Sequence, residues 1–353
     1  MATAFDGASR AWASAGTGLD HLPHLDGRLL FDPADLTAFE DDFGHLVHRA
    51  PLAVLEPGSV ADVAAMIEFC GPRRIPVAAR GQGHQTDGQA QVSDGLVIDT
   101  GPLNAIAVDP VAMTATVGAG VLWSALLAAS LAHGLTPPVF TDYIELSIGG
   151  TLSAGGLGGA AHHHGAQVDN VPELEVVTGT GEIVVCSPER NADLFHTALA
   201  GLGQVGVITR ATVRLVPAPA SARQYQLTYP SLAAMTAAQR KAVRDGRFGW
   251  LEGAINAVPA ATGSGTGSGI SWQYVLEGTA YYDGTPPDDQ ALIGDLGYQG
   301  MAQIADFSYA DFVDDLAAAI AFLKSTGEWY DPHPWLDLFL PDGATDAYVT
   351  SVV

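Results

Sequence analysis

The chain has 353 residues, 48% of them hydrophobic and 15% charged, with a net charge of −24, which is enough apolar material for one large or two ordinary cores. A field of that sign repels phosphate backbones and anionic bilayers, only two lysines, Lys241 and Lys324, occur and no basic run exists, so nucleic acid and membrane surfaces are not expected partners. Cys70 and Cys186 lack a CxxC neighbourhood and sit in apolar stretches, which reads as two buried thiols. The opening MATAFDGASRAWASAG has no basic-then-apolar pattern and no apolar run reaches spanning length, so a cytoplasmic location is expected.

Ser59 is placed to cap a helix whose apolar positions Val60, Val63, Ala64 and Ile67 recur at helical spacing until GPRR (71–74) breaks it. IPVAAR (75–80) and LVIDT (96–100) read as buried strands, and 105–117 as a hairpin centred on Asp109-Pro110. VLWSALLAASLAHG (121–134) predicts a helix stopped by glycine. A glycine-dense stretch occupies 149–159, followed by the hairpin ELEVVTGTGEIVVCS (173–187), the helix NADLFHTALAG (191–201) and the strand VGVITRATVRLV (205–216). PAPA (217–220) marks a boundary. Beyond it come the strand QYQLTY, an alanine-rich helix near 231–244, the strand WLEGAINAV, a flexible GSGTGSG hairpin tip, the strand ISWQYVLEGTAYY and a helix over 310–327. The alternation predicts an α+β protein of two domains, 1–218 and 219–353.

Two segments have the composition of an anion nest. GQGHQ (81–85) presents successive backbone N–H groups without obstructing side chains, and SIGGTLSAGGLGG (147–159) adds the hydroxyls of Ser147, Thr151 and Ser153. Spacing alone is better served by tight turns in a compact domain. A nicotinamide-dinucleotide fingerprint is disfavoured, because GAGVLW (118–123) has tryptophan at the third glycine position and no acidic residue follows at the proper distance. His162, His163 and His164 invite a metal reading, but neighbours on a helix diverge by about 100° and on a strand point to opposite faces, so packing is the better account.

ARGQGHQTDGQA (79–90), VLWSALLAASLAHGLTP, TDYIELSIGGTLSAGG, HGAQVDNV, NADLF, GLGQVGVITRA and PHPWL (332–336) together resemble the cytokinin dehydrogenase branch of the FAD-linked oxidases, the vanillyl-alcohol-oxidase or PCMH-type superfamily. The resemblance runs from about residue 50 to the end. It implies a PCMH-type FAD-binding domain followed by a substrate domain of antiparallel sheet and helices, with FAD bound covalently through His84. Cofactor contacts then fall on Ala79, Gly81, Gln82, Gly83, His84, Gln85, Gln89, Asp142, Ser147, Ser153, Leu157 and Ile208. The family usually has arginine, serine and asparagine where this chain has Gln82, Gln85 and Asp87. Related enzymes add a cysteine link where this chain has Tyr143, so a single attachment is expected.

The same resemblance makes Asp142 the active-site carboxylate, with Glu252 as a second catalytic and substrate-contacting carboxylate and Trp335 as an aromatic wall. Oxidising a secondary amine moves a hydride from the carbon beside nitrogen to the flavin, and a carboxylate on the N–H can orient the amine and take its proton. Without the resemblance, Asp142 is a cap or turn residue, with Glu145 as its rival. The implied reaction converts an N6-substituted adenine to adenine and an aldehyde after imine hydrolysis, with a quinone or oxygen as electron acceptor. An alcohol or sugar oxidase of the same fold and a silent flavin-binding protein are the alternatives. Family members continue past PHPWL and return to the flavin domain, whereas this sequence ends at DAYVTSVV, so the second domain is expected to be incomplete, with an exposed sheet edge. Oligomeric state stays open.

Overall fold

The computed structural model describes residues 4–13, 18–259 and 270–353; the GSGTGSG tip lies outside the described residues. Two compact units emerge. The first comprises Met1–Gly156, Ala166–Pro217 and Leu316–Trp335, the second Leu157–Gly165, Ala218–Asp315 and Leu336–Val353.

In the first unit, a four-stranded sheet runs in the order Arg28–Leu30, Ala53–Glu56, Leu96–Asp99, Val77–Arg80. The last three strands are parallel, and the helix Val60–Cys70 makes the connection that parallel strands require. Val63, Met66, Ile67 and Cys70 of that helix form one core with Ala53, Leu55, Leu96 and Ile98. Ser59 precedes the helix in extended conformation, but its side chain makes no capping hydrogen bond. Asp62 does the local satisfying, accepting the N–H groups of Asp26, Gly27 and Gly58 at 2.8 Å each. Cys70 and Cys186 are both free and buried.

A five-stranded antiparallel sheet follows in the order Ile183–Cys186, Glu173–Thr178, Gly206–Arg214, Thr114–Gly118, Ile106–Asp109. Both expected hairpins are present in it. Against it lies a helix that composition hid, Ile148–Ala154, inside the glycine-dense run. Glycine is a poor helix former, yet the site needs it: a Cβ on Gly149 would collide with Ala119. The N–H groups of Ile148 and Gly149 donate to Val121 and Ala119 carbonyls at 2.8 Å, so tertiary contacts fix the first turn.

The second unit contains a four-stranded antiparallel sheet ordered Trp250–Pro259, Ile270–Tyr282, Ser221–Tyr229, Gln299–Ser308. The helix Leu232–Asp245, capped by Ser231 and closed by left-handed Gly246, packs Met235, Ala238 and Ala242 onto Tyr225, Leu227, Leu251 and Leu276. Register sends the intervening residues to the opposite face: Glu252 stands opposite Glu277, Trp250 opposite Thr279, and Gln226 beside Glu277. The edge strand Gln299–Ser308 has no sequence signature, because QGMAQIADFS lacks clean alternation and is mostly exposed.

The helix expected over 310–327 is two helices. Tyr309–Val313 ends at Asp314, whose φ of −106° and ψ of 26° leave the helical region, and Ala317–Thr326 begins anew. The first buries Phe312 and Val313 in the second unit, while the later one buries Ile320 in the first. Mixed helix and largely antiparallel sheet in two units is the expected α+β architecture.

Candidate functional site: the surroundings of His84

The strand Val77–Arg80 ends in the GQGH turn, and two of its glycines are needed for different reasons. A Cβ on Gly81 would collide with the Ser147 hydroxyl, whereas Gly83 has φ of +66° and rests on the Arg80 guanidinium. The turn is tied to residues 42–44: Phe43 N–H donates to Gly83 O at 2.9 Å and Gly44 N–H to Gln85 O at 3.1 Å. Asp42, 3% exposed, accepts from the N–H groups of Gly44 at 3.1 Å and Gly88 at 2.8 Å. A buried carboxylate is tolerated there because backbone dipoles replace its water.

These ties deliver His84 into an aromatic nest. Its ring stacks on Phe43 at a centroid distance of 4.1 Å and 24°. Tyr143 leans on it at 5.3 Å and 48°, and Trp329 lies at 6.0 Å and 28°. Phe43 in turn stacks on His333 at 4.2 Å and 19°, so it is sandwiched between two imidazoles. Lys324 Nζ sits 4.9 Å from the Trp329 ring centroid. Burial, reinforced by the charges of His333 and Lys324, pushes the His84 imidazole down to about 4. At neutral pH the ring is therefore uncharged and one of its nitrogens carries an available lone pair.

Asp142 lies on an anchored segment. Phe140 and Ile144 on either side are 2% exposed each, Phe140 packs edge-on to Trp123 at 6.0 Å, and Ile144 and Leu146 carbonyls accept from Ser124 and Trp123 N–H groups at 3.0 and 3.1 Å. The carboxylate-bearing residue itself is exposed. It caps no helix, since the next one starts after Ser147, and its neighbour Tyr143 is the residue that touches His84.

The other expected contacts are distributed more widely. Ala79 and Gln85 are half-buried, Gln82 and Gln89 exposed, and Gln89 Oε1 accepts from Asp87 N–H at 3.1 Å. Ser147 is buried beside Gly81, and Ile208 is buried on the strand Gly206–Arg214. Thr151 and Ser153, expected as donors, give their hydroxyl protons to Ile148 O and Gly149 O at 3.3 and 2.7 Å, so these donors are spent inside the helix. Leu157 and Glu252 belong to the second unit. Trp335 is 64% exposed; the PHPWL residue that reaches the nest is His333.

Phe43 and Trp329 are ring neighbours of His84 that no sequence motif singles out, and His333 belongs to the PHPWL motif, whose expected contact residue is Trp335. The available signal is the proline-flanked histidine of PHP, which marks an extended, pre-set backbone. Gln91 and Gln167 are equally inconspicuous in sequence. They are 4% and 1% exposed, and neither the amide nitrogen nor the amide oxygen of either finds a hydrogen-bond partner; Arg80 Nη1 is likewise buried and unpartnered. Each such orphan costs about 1–3 kcal/mol. Unpartnered amide and guanidinium groups of this kind, and the side-chain-free GQGH backbone, are the chemistry that phosphate oxygens and amide edges of a dinucleotide would satisfy. In the second unit, His162 and His163 both direct Nε2 at the Phe248 carbonyl, at 3.0 and 2.8 Å, and among the described residues no group of three or more His, Cys, Asp or Glu is arranged around a metal position.

The FAD binding domain family matches residues 51–187, and the family described as "Cytokinin dehydrogenase 1, FAD and cytokinin binding" matches 260–353. The chain is 39% identical over 322 residues to an uncharacterized oxidoreductase, ORF5 in the fasciation locus of Rhodococcoides fascians, covering 90% of this chain and 71% of that protein. It is 37% identical over 351 residues to cytokinin dehydrogenase 7 of Oryza sativa subsp. japonica, covering 89% and 67%. Against the relatives it matches, the chain thus spans about two thirds of their length. Crystalline 6-hydroxy-D-nicotine oxidase from Arthrobacter nicotinovorans shares the fold, with a TM-score of 0.67 at 21% identity over 84% of this chain and 64% of that one. The chain belongs to the cytokinin dehydrogenase family of FAD-dependent oxidoreductases.

Proposed function

We propose that the protein holds FAD through a covalent bond to His84 and oxidises N6-substituted adenines at the bond between N6 and the first carbon of its substituent, with adenine and an aldehyde as products after imine hydrolysis. The observation that carries this reading is the His84 ring held against Phe43, Tyr143 and Trp329, a setting that disfavours its protonation and suits a nitrogen nucleophile. Gly81, Gly83 and the buried amides of Gln91 and Gln167 would hold the cofactor, together with Ala79, Gln82, Gln85, Gln89, Ser147, Ser153, Leu157 and Ile208. FAD, when bound, supplies the hydride acceptor.

The remaining work falls to carboxylates and rings of this protein. Asp142, exposed on an anchored segment, would accept the substrate N–H, keep the amine neutral and take up its proton as the C–H bond breaks. Glu252 would receive polar edges of the purine from the sheet face it shares with Glu277 and Gln226, and Trp335 would supply an aromatic wall. A quinone or oxygen would carry the electrons away.

The test is a pair of measurements on purified protein. Acid-precipitated, washed polypeptide should remain yellow, and the holoenzyme should bleach anaerobically with isopentenyladenine but not with simple alcohols or sugars. Colourless precipitate removes the covalent link; bleaching by alcohols alone removes the amine substrate.

A further inference from the structure

We infer that Phe43, Trp329 and His333 are positioning residues for flavin attachment, and that the returning segment Leu316–Trp335 is the element that presents the His84 imidazole to the cofactor. The inference rests on the reading of His84 as the attachment point and goes beyond it, because it assigns the preparation of that histidine to residues distant in sequence.

Four segments meet at this one ring. Residues 42–44 supply the stacking face, 81–85 the histidine, Tyr143 a flanking ring and 329–333 the cover. His333 is fixed at both ends: its backbone N–H donates to Gly44 O at 2.9 Å and its Nδ1 donates to Phe43 O at 3.1 Å, while Pro332 and Pro334 limit the backbone on either side. Trp329 meets His84, Phe43 at 4.7 Å and Tyr143 at 5.8 Å, with Lys324 over its ring. Upstream, Ile320 is 8% exposed and holds the helix Ala317–Thr326 in the first unit. An imidazole contacted on this many sides has lost the rotamer freedom a loop histidine would keep.

Attachment needs that restriction. An imidazole nitrogen forms one bond to the flavin 8α-carbon; the N–H and one methyl C–H are broken, two hydrogens pass to the ring system, and dioxygen reoxidises it with release of hydrogen peroxide. The protein's contribution is to hold an uncharged nitrogen at bonding approach, where a displacement of about 1 Å can cost about 10²-fold in rate. The stack with Phe43 and Trp329 sets the plane of the ring, and His333 sets Phe43.

The experiment uses full-length protein from riboflavin-limited cells, incubated with FAD. Covalent flavin is read by fluorescence of the acid-denatured band, total bound flavin by absorbance before denaturation, and integrity by thermal midpoint. Phe43→Leu, Trp329→Ala and His333→Ala should bind FAD and keep their thermal midpoint within a few degrees, yet attach it at least ~10-fold more slowly than wild type. Phe43→Tyr and His333→Gln, which retain the ring and the donor to Phe43 O, should return to within about threefold of wild type. Wild-type attachment rates in the first set overturn the inference while leaving His84 as the link. Loss of total flavin in step with the thermal midpoint, without rescue, also overturns it by reducing the stack to packing. Absence of covalent flavin in wild type overturns both readings.

Discussion

Two groups of histidines separate the chemistry of this molecule from its decoration. His162, His163 and His164 are the conspicuous ones, adjacent in sequence and forming one short helical turn, Ala161–His164. Their rings lie close, with His162 and His163 at 4.1 Å, but two of them spend Nε2 on the same carbonyl of Phe248. His84 stands alone in sequence and is surrounded by rings from three distant segments. The difference is environment rather than residue type: proximity in sequence gives imidazoles a shared backbone neighbour, whereas long-range packing half-buries one imidazole among rings and lowers its affinity for a proton.

The comparison can be broken most decisively at its active end. His84→Ala should abolish acid-stable flavin altogether, leaving only dissociable FAD; an unmodified yield of covalent cofactor would transfer the link elsewhere. Asp142→Asn sharpens the distinction between attachment and turnover. Covalent flavin should persist while kcat falls by about 10²–10⁴, and undiminished turnover would remove Asp142 from proton transfer. A third effect concerns stability of the cofactor-free protein. The folded imidazole is held at about 4 against an unfolded value near 6.5, so the unfolded polypeptide binds the proton first. Stability should therefore decline as pH falls from about 6.5 to about 4, by on the order of 2–3 kcal/mol after allowing for partial solvent screening. The difference in thermal midpoint between wild type and His84→Phe, followed across that range, reads it; a pH-independent difference means the nest is wet. The smallest effect belongs to the other histidines. His163→Ala should cost about 1 kcal/mol or less, and added zinc should not raise the thermal midpoint of either protein. A zinc-dependent rise that the variant loses would turn the decorative group into a metal site.

Much of this is legible in sequence because local rules coincide with tertiary ones. The hairpins at 105–117 and 173–187, the helix after Ser59 and the strands of the second unit's sheet before its edge follow period and turn chemistry, and the GQGH turn announces itself through glycines that have no room for a side chain. What stays hidden is decided by contacts between distant segments. Gly149 and Gly150 count against a helix in isolation, but Ala119 demands the close approach that only glycine permits. One apolar pattern across 310–327 conceals the fact that its halves serve different cores. Phe43 and Trp329 carry no sequence mark until the backbone brings them to one imidazole, His333 is marked only by its flanking prolines within PHPWL, and an orphaned amide such as Gln167 is indistinguishable in sequence from a solvated one. Asp142 and Glu252 are reached by resemblance, and the roles proposed for them are to be tested by substitution and turnover.

The first unit is interrupted by nearly a hundred residues of the second before Leu316–Trp335 rejoins it. During synthesis the ribosome therefore releases the GQGH turn long before it releases Trp329 and His333. Until those last residues have left the exit tunnel, the nascent polypeptide can fold most of its first sheets while its histidine remains uncovered, hydrated and protonatable. On the proposed attachment at His84, cofactor loading would be a late checkpoint in biogenesis, after Trp329 and His333 have emerged.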